Sequence, residues 1–122
     1  MEKLTRAEEQ VMEVCWKTGG GFLKDLVQAF PEPRPAQTTV ATLIKILEGK
    51  AFVGHEAFGR NFRYFPLVTR EEYARVRAQS LLSKYFGGSV SQFVSFFNEK
   101  GDLSVEEIEA LRKAISDPDT EK

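Results

Sequence analysis

The chain is poor in the residues that build covalent or metal-based frameworks. Of its 122 residues, one is cysteine, Cys15, and one is histidine, His55. A single thiol excludes an internal disulfide and a cysteine-cluster metal site, and neither a metal nor another cofactor is expected. No apolar run approaches the ~20 residues needed to cross a bilayer. The first residues, MEKLTRAEE, carry no apolar signal segment, so a cytoplasmic location is the expectation. Charge of one sign is also lacking. The formal net charge is −1, so bulk charge does not announce a nucleic-acid partner. Its distribution is uneven, however: residues 1–70 hold 10 Lys and Arg against 8 Asp and Glu, and residues 71–122 hold 7 against 10. That asymmetry is compatible with a DNA-reading half and a second half with another task. Catalytic groupings are missing too. No motif places a Ser or Cys nucleophile beside His55, and the Asp and Glu residues are scattered without metal-ligand spacing. No enzyme is expected; His55 reads as a surface residue and Cys15 as a buried, inert thiol.

What is present is an ordinary globular composition, 42% hydrophobic and 29% charged, punctuated by helix starts. Thr5-x-x-Glu8, Thr69-x-x-Glu72, Ser89-x-x-Gln92 and Ser104-x-x-Glu107 each match a capping box, in which the first side chain accepts from the N3 amide and the N3 side chain reaches back. Val68 with Tyr73 and Leu103 with Ile108 add hydrophobic staples to two of them. Apolar periodicity then predicts helices over about 5–16, 22–30, 37–49, 69–86, 90–99 and 105–116. Gly19-Gly20-Gly21 reads as a flexible turn, since no Lys-Ser/Thr follows to make it a phosphate cradle. Pro31, Pro33 and Pro35 stop the second helix. Ala36 is a poor cap for the third. Residues 51–67 read as a β-hairpin, with Gly59 and Asn61 at the turn, aromatic flanks, and Pro66 closing the second strand.

Three short helices followed by a hairpin is the order of a winged helix-turn-helix. The predicted fold class is therefore mainly α with a small β-hairpin: a winged-helix module over 1–68 and a C-terminal helical dimerisation module over 69–122. In such a module the third helix enters the major groove. Its core stripe would be Val40, Leu43, Ile44 and Leu47, leaving Thr38, Thr39, Ala41, Thr42 and Lys45 to face DNA. Threonine hydroxyls bond phosphate or bases, a threonine methyl meets a thymine methyl, and Lys45 supplies charge for phosphate. Arg60 at the hairpin tip and Arg63 nearby reach an adjacent phosphate or the minor groove. The C-terminal helices are too few and too apolar to bury themselves. Tyr73, Leu81, Tyr85, Phe93, Phe96, Phe97, Ile108 and Leu111 are the candidate dimer residues, because a two-fold interface covers such a surface and doubles the contacts on a symmetric site. The expected partners are double-stranded operator DNA and a second copy of the chain. A winged-helix module that binds protein rather than DNA remains the alternative.

Three stretches carry a family resemblance: "LTRAEEQVMEVCW", "TTVATLIKILEGKAFVGHEAFGRNFRYFPLV" and "YFGGSVSQFVSFFNEKGDLSVEEIEALRKAI". In this order, spanning nearly the whole chain, they resemble the penicillinase repressor family of bacterial transcriptional regulators (the BlaI/MecI/CopY group). The resemblance implies a homodimeric winged-helix repressor on pseudo-palindromic operators, with the dimer made by the C-terminal helices. In the antibiotic-responsive branch it further implies a membrane sensor-protease pathway that leads to cleavage of the repressor between an Asn and a Phe. Carried over, that bond is Phe96–Phe97, and Phe96 stands where that branch has Asn. The same branch carries basic residues where this chain has Thr38 and Ala41. A copper-responsive branch uses C-terminal Cys-x-Cys motifs, which this chain lacks.

Overall fold

The computed structural model describes residues 1–99, 101 and 104–115, with the backbone alone at residues 98, 111, 112, 114 and 115. Along them run α1 (Arg6–Thr18), β1 (Gly21–Phe22), α2 (Leu23–Gln28), α3 (Gln37–Gly49), β2 (Val53–Phe58), β3 (Asn61–Pro66), α4 (Arg70–Tyr85), α5 (Val90–Asn98) and α6 (Val105–Ile115). The chain divides into two compact units, Met1–Arg70 and Glu71–Lys122.

In the first unit, the capping box at the start of α1 forms in full. The Thr5 amide donates to Glu8 Oε1 at 2.8 Å, and the Glu8 amide donates to Thr5 Oγ1 at 3.2 Å. The helix buries Val11, Met12, Val14 and Cys15, and the Trp16 indole N–H donates to the Val68 carbonyl at 2.7 Å. The glycine triplet is more than a flexible turn. Gly20 has φ +107°, and a Cβ there would sit 2.2 Å from the Tyr64 carbonyl oxygen. Only glycine permits that approach, and it lets Gly21–Phe22 pair with Tyr64 and Arg63 as a third, two-residue strand. The sheet is therefore antiparallel in the order β1-β3-β2, and α2 is shorter than its periodicity suggests because Phe22 is drawn into β1.

α3 runs over the predicted residues. Ala36, whose methyl group accepts nothing, leaves its start without a side-chain cap. Val40, Ile44 and Leu47 are buried. The C-terminus of α3 closes in a Schellman arrangement: the Phe52 amide reaches Leu47 O at 2.9 Å and the Ala51 amide reaches Glu48 O at 3.0 Å. Phe52 and Leu47, the apolar pair that accompanies this motif, are fully buried. The Phe52 carbonyl then accepts from the Leu67 amide at 2.8 Å, which fixes the base of the hairpin directly to the end of α3.

In the second unit, Ser89 caps α5 by accepting from the Gln92 amide at 3.1 Å. The box at α6 is complete, with bonds of 3.0 and 3.1 Å between Ser104 and Glu107. Leu103, the expected staple partner of Ile108, lies outside the described residues. Among the described residues no helix is long and apolar enough to cross a membrane.

Candidate nucleic-acid interface

The apolar stripe of α3 fixes which residues point outward. With 3.6 residues per turn, burying Val40, Ile44 and Leu47 turns Thr38, Thr42 and Lys45 to the opposite side, at i, i+4, i+7 spacing. All three are exposed. The Thr42 hydroxyl donates back to the Thr38 carbonyl at 3.0 Å. Its proton is thereby used within the helix, while its oxygen lone pairs and its methyl remain available. Thr42 is thus an acceptor and an apolar contact, suited to an exocyclic amine or a thymine methyl. Thr39 is exposed on one flank, one and two turns before Leu43 and Ile46. Ala41 is half-buried on the other flank, one and two turns before Lys45 and Glu48.

The wing is a two-residue hairpin. Phe58 pairs with Asn61, leaving Gly59 and Arg60 as the turn. Gly59 has φ +62° at the first central position, where a II′ turn needs glycine. Arg60 therefore projects from the tip. Neither Lys45 nor Arg60 has an ion-pair partner among the described residues. Arg63 differs: it is half-buried, and its guanidinium lies 3.5 Å from the Gly19 carbonyl, which ties part of it to the glycine loop.

Two polar links hold α3 in place. Lys50, which caps its C-terminus, bonds both oxygens of Glu8 at 2.9 and 3.1 Å, and Glu8 is 3% exposed. The Thr5 backbone amide, and then Lys50, hold the Glu8 carboxyl below its ordinary value. Glu48 on α3 pairs with His55 on β2, linking the helix to the wing. The His55 ring also packs on Phe62, at a centroid separation of 4.6 Å, and on Tyr64, at 6.1 Å. Burial and the nearby Glu48 push the Tyr64 phenol up. Cys15 lies fully buried, and burial pushes its thiol up to about 11, as suits a core residue with no nucleophilic role.

The second unit presents an aromatic patch. Phe86 packs edge-on against Phe93 at 5.2 Å and Phe96 at 5.6 Å, and Phe97 lies 5.0 Å from Phe93 and 5.3 Å from Phe96. With Leu81 and Tyr85 these rings line an open groove of about 860 Å³. Tyr85 is 64% exposed and Phe96 57%. Of the other predicted dimer residues, Tyr73 is buried within the chain itself and Ile108 is half-buried. The Leu111 side chain lies outside the described residues. Phe86 escaped the sequence-based selection, although Gly87-Gly88 directly after it marks it as a helix end.

The penicillinase repressor family model matches residues 4–117. The chain belongs to that family. The penicillinase repressor of Bacillus licheniformis is 28% identical over 120 residues, covering 94% of this chain and 91% of that one. The methicillin resistance regulatory protein MecI of Mammaliicoccus sciuri is 27% identical over 115 residues, covering 93% and 94%. The MecI protein of Staphylococcus aureus strain N315 is 26% identical over the same length. The penicillinase repressor family is one of transcriptional repressors rather than enzymes, and the helices with their small antiparallel sheet have the element order of a winged helix.

Proposed function

We propose that this family member represses transcription by binding double-stranded operator DNA as a homodimer, one winged-helix unit on each half of a pseudo-palindromic site. The observation that carries this reading is the outward stripe Thr38, Thr42 and Lys45, free of ion pairs among the described residues and accompanied by Arg60 at the wing tip. The stripe reads bases in the major groove with short side chains. Lys45 and Arg60 provide the phosphate charge that the near-neutral chain otherwise lacks. Thr39 and Ala41 line the flanks, and Arg63 supports the wing from the glycine loop. The second copy docks through the aromatic groove of Leu81, Tyr85, Phe93, Phe96 and Phe97, with Ile108 and Leu111 of α6 in supporting roles, while Tyr73 of α4 is buried within its own chain rather than against the partner. Two reading heads on one symmetric site make up for the few contacts of each.

Relief of repression by a membrane sensor-protease pathway fits the same scheme. The Phe96–Phe97 bond lies inside α5, so cleavage acts on a locally unwound state and cuts the dimer patch in two.

The test is selection of duplex DNA from a random library, followed by gel shift at low and moderate salt. Binding that falls steeply with salt, and that weakens in Lys45→Ala and Arg60→Ala without loss of folding, is the expected result. No binding at low salt, where the phosphate contribution is strongest, would leave a protein-interaction module as the function.

A further inference from the structure

The first unit contains an open cleft of about 450 Å³ where the wing faces the beginnings of α2 and α3. Lys24, Asp25, Gln37, Arg60, Phe62 and Tyr64 are among the residues that line it. It brings together three segments that are remote in sequence, and two of its features are unexplained by packing. Lys24 and Arg60 are exposed and have no ion-pair partner among the described residues, even though the Asp25 carboxylate lines the same cleft. Phe62 is 45% exposed, although its ring is held in place by His55 at 4.6 Å and Tyr64 at 6.4 Å. The cleft thus offers two cations and one carboxylate beside a fixed apolar ring.

That combination selects a type of ligand. A simple anion would leave the Phe62 ring uncovered, and an apolar molecule would leave both cations unanswered. A chain in which an apolar C–H surface alternates with a single negative charge satisfies both, and the sugar–phosphate backbone of DNA has that form. Resting on the DNA-binding reading above, we propose that this cleft seats one sugar–phosphate unit of the duplex, with Lys24 and Arg60 on the phosphate and the Phe62 ring against the deoxyribose. Gln37 adds a neutral donor at the first turn of α3. Because the ring is already held by His55 and Tyr64, little side-chain freedom is lost on contact. The cleft lies between the wing and α3, so it sets how far the wing approaches the duplex while α3 occupies the groove. It contributes register and affinity but no base preference.

The experiment compares a duplex selected by the protein with an unselected duplex of the same length, over a range of salt concentrations. Lys24→Ala is expected to weaken binding on the order of fivefold on both duplexes and to lower the salt slope by roughly one unit. Phe62→Ala is expected to weaken both by a similar factor with the slope unchanged, because an apolar contact releases no counterion. Asp25→Asn is expected to strengthen both. Thermal melting confirms that each variant is folded. Unchanged affinity and slope in Lys24→Ala, a loss confined to the selected duplex, or weaker binding by Asp25→Asn would each overturn the cleft while leaving the repressor reading intact. A wild-type protein that binds neither duplex would overturn both.

Discussion

The two units differ in how much of their apolar surface they enclose. The first encloses it: Val11, Met12, Leu26, Val40, Ile44, Leu47, Phe52 and Val53 are fully buried, and the chain ends around them are tied by the Thr5–Glu8 box, the Lys50–Glu8 pair and the Trp16–Val68 bond. The second leaves Leu81, Tyr85 and Phe96 in the open around a shallow aromatic groove. Burial of apolar area is the main favourable term in folding, and the second unit buries only Tyr73, Leu82 and Val94 among its described residues. The difference matches the division of tasks proposed above, with a closed unit to hold a polar face and an open one whose exposed rings a second copy would cover.

The largest effect expected is in the closed unit. Phe52→Ala removes a fully buried ring at the junction of α3 and the wing, at a cost of about 3–5 kcal/mol. Against a total of roughly 5–15 kcal/mol for a domain, that brings the unit close to unfolding. Trp16, the single tryptophan, lies in this unit, so its fluorescence on heating reports the loss. A melt that matches the wild type would mean the core is not closed as described.

Phe96→Asp should behave in the opposite manner. The ring is exposed within one chain, so the Trp16 melt should hold. In the proposed dimer a carboxylate would be trapped at the two-fold interface, and association should weaken by about 3 kcal/mol, on the order of a hundredfold in Kd. Light scattering over a dilution series reads it. A variant that stays dimeric at the wild-type concentration would place the interface elsewhere.

What could be read in the sequence follows the range of the interaction. The caps at Thr5 and Ser104 span three residues, and the α3 stripe repeats every turn, so both were legible. The strand Gly21–Phe22 has no period to detect; it exists because Gly20 tolerates the Tyr64 carbonyl, 44 residues away in sequence. Lys50 and Glu8 are 42 residues apart, and nothing local marks either as a partner. The candidate site divides in the same manner. Thr38, Thr42 and Lys45 share a face by spacing alone, whereas the meeting of Lys24 with Arg60 and Phe62 depends on how the hairpin folds back. Thr42 is an intermediate case: a threonine four residues after a helical carbonyl can bond back to it, but the sequence does not say that it does.

The Glu8 carboxylate, held first by the Thr5 amide and then by Lys50, makes the closed unit sensitive to acid. The folded-state pKa of Glu8 is lowered from its ordinary 4.5, so the unfolded chain takes up the proton first as pH falls. The stabilisation is fully present above about pH 4.5 and fades as pH drops from there through the lowered folded value. Glu8→Gln keeps a side chain able to cap Thr5 but removes the charge facing Lys50. The wild-type advantage in Tm over Glu8→Gln should be constant near neutral pH and shrink below 4.5. An advantage that persists undiminished at the acid end would show that the charge contributes nothing.

The smallest effect expected is a gain. Ala51 is the one described non-glycine residue with positive φ, at 64°, and it occupies the position after the α3 cap where Schellman motifs favour glycine. The left-handed region costs an L-residue roughly 1–2 kcal/mol through its Cβ. Ala51→Gly relieves that cost, offset in part by the greater freedom of glycine in the unfolded chain, for a net gain of about 0.5–1 kcal/mol. The Ala51 side chain is exposed, so no packing is lost with the methyl. The amide bonds from residues 51 and 52 to Glu48 and Leu47 are backbone bonds and persist. The Trp16 melt should rise by a few degrees, with dimer dissociation unchanged, because the gain is confined to the closed unit. A fall in the melt would mean that Ala51 steers the chain from α3 into the wing by restricting it, and that the closed unit relies on that restriction more than on the geometry of the cap.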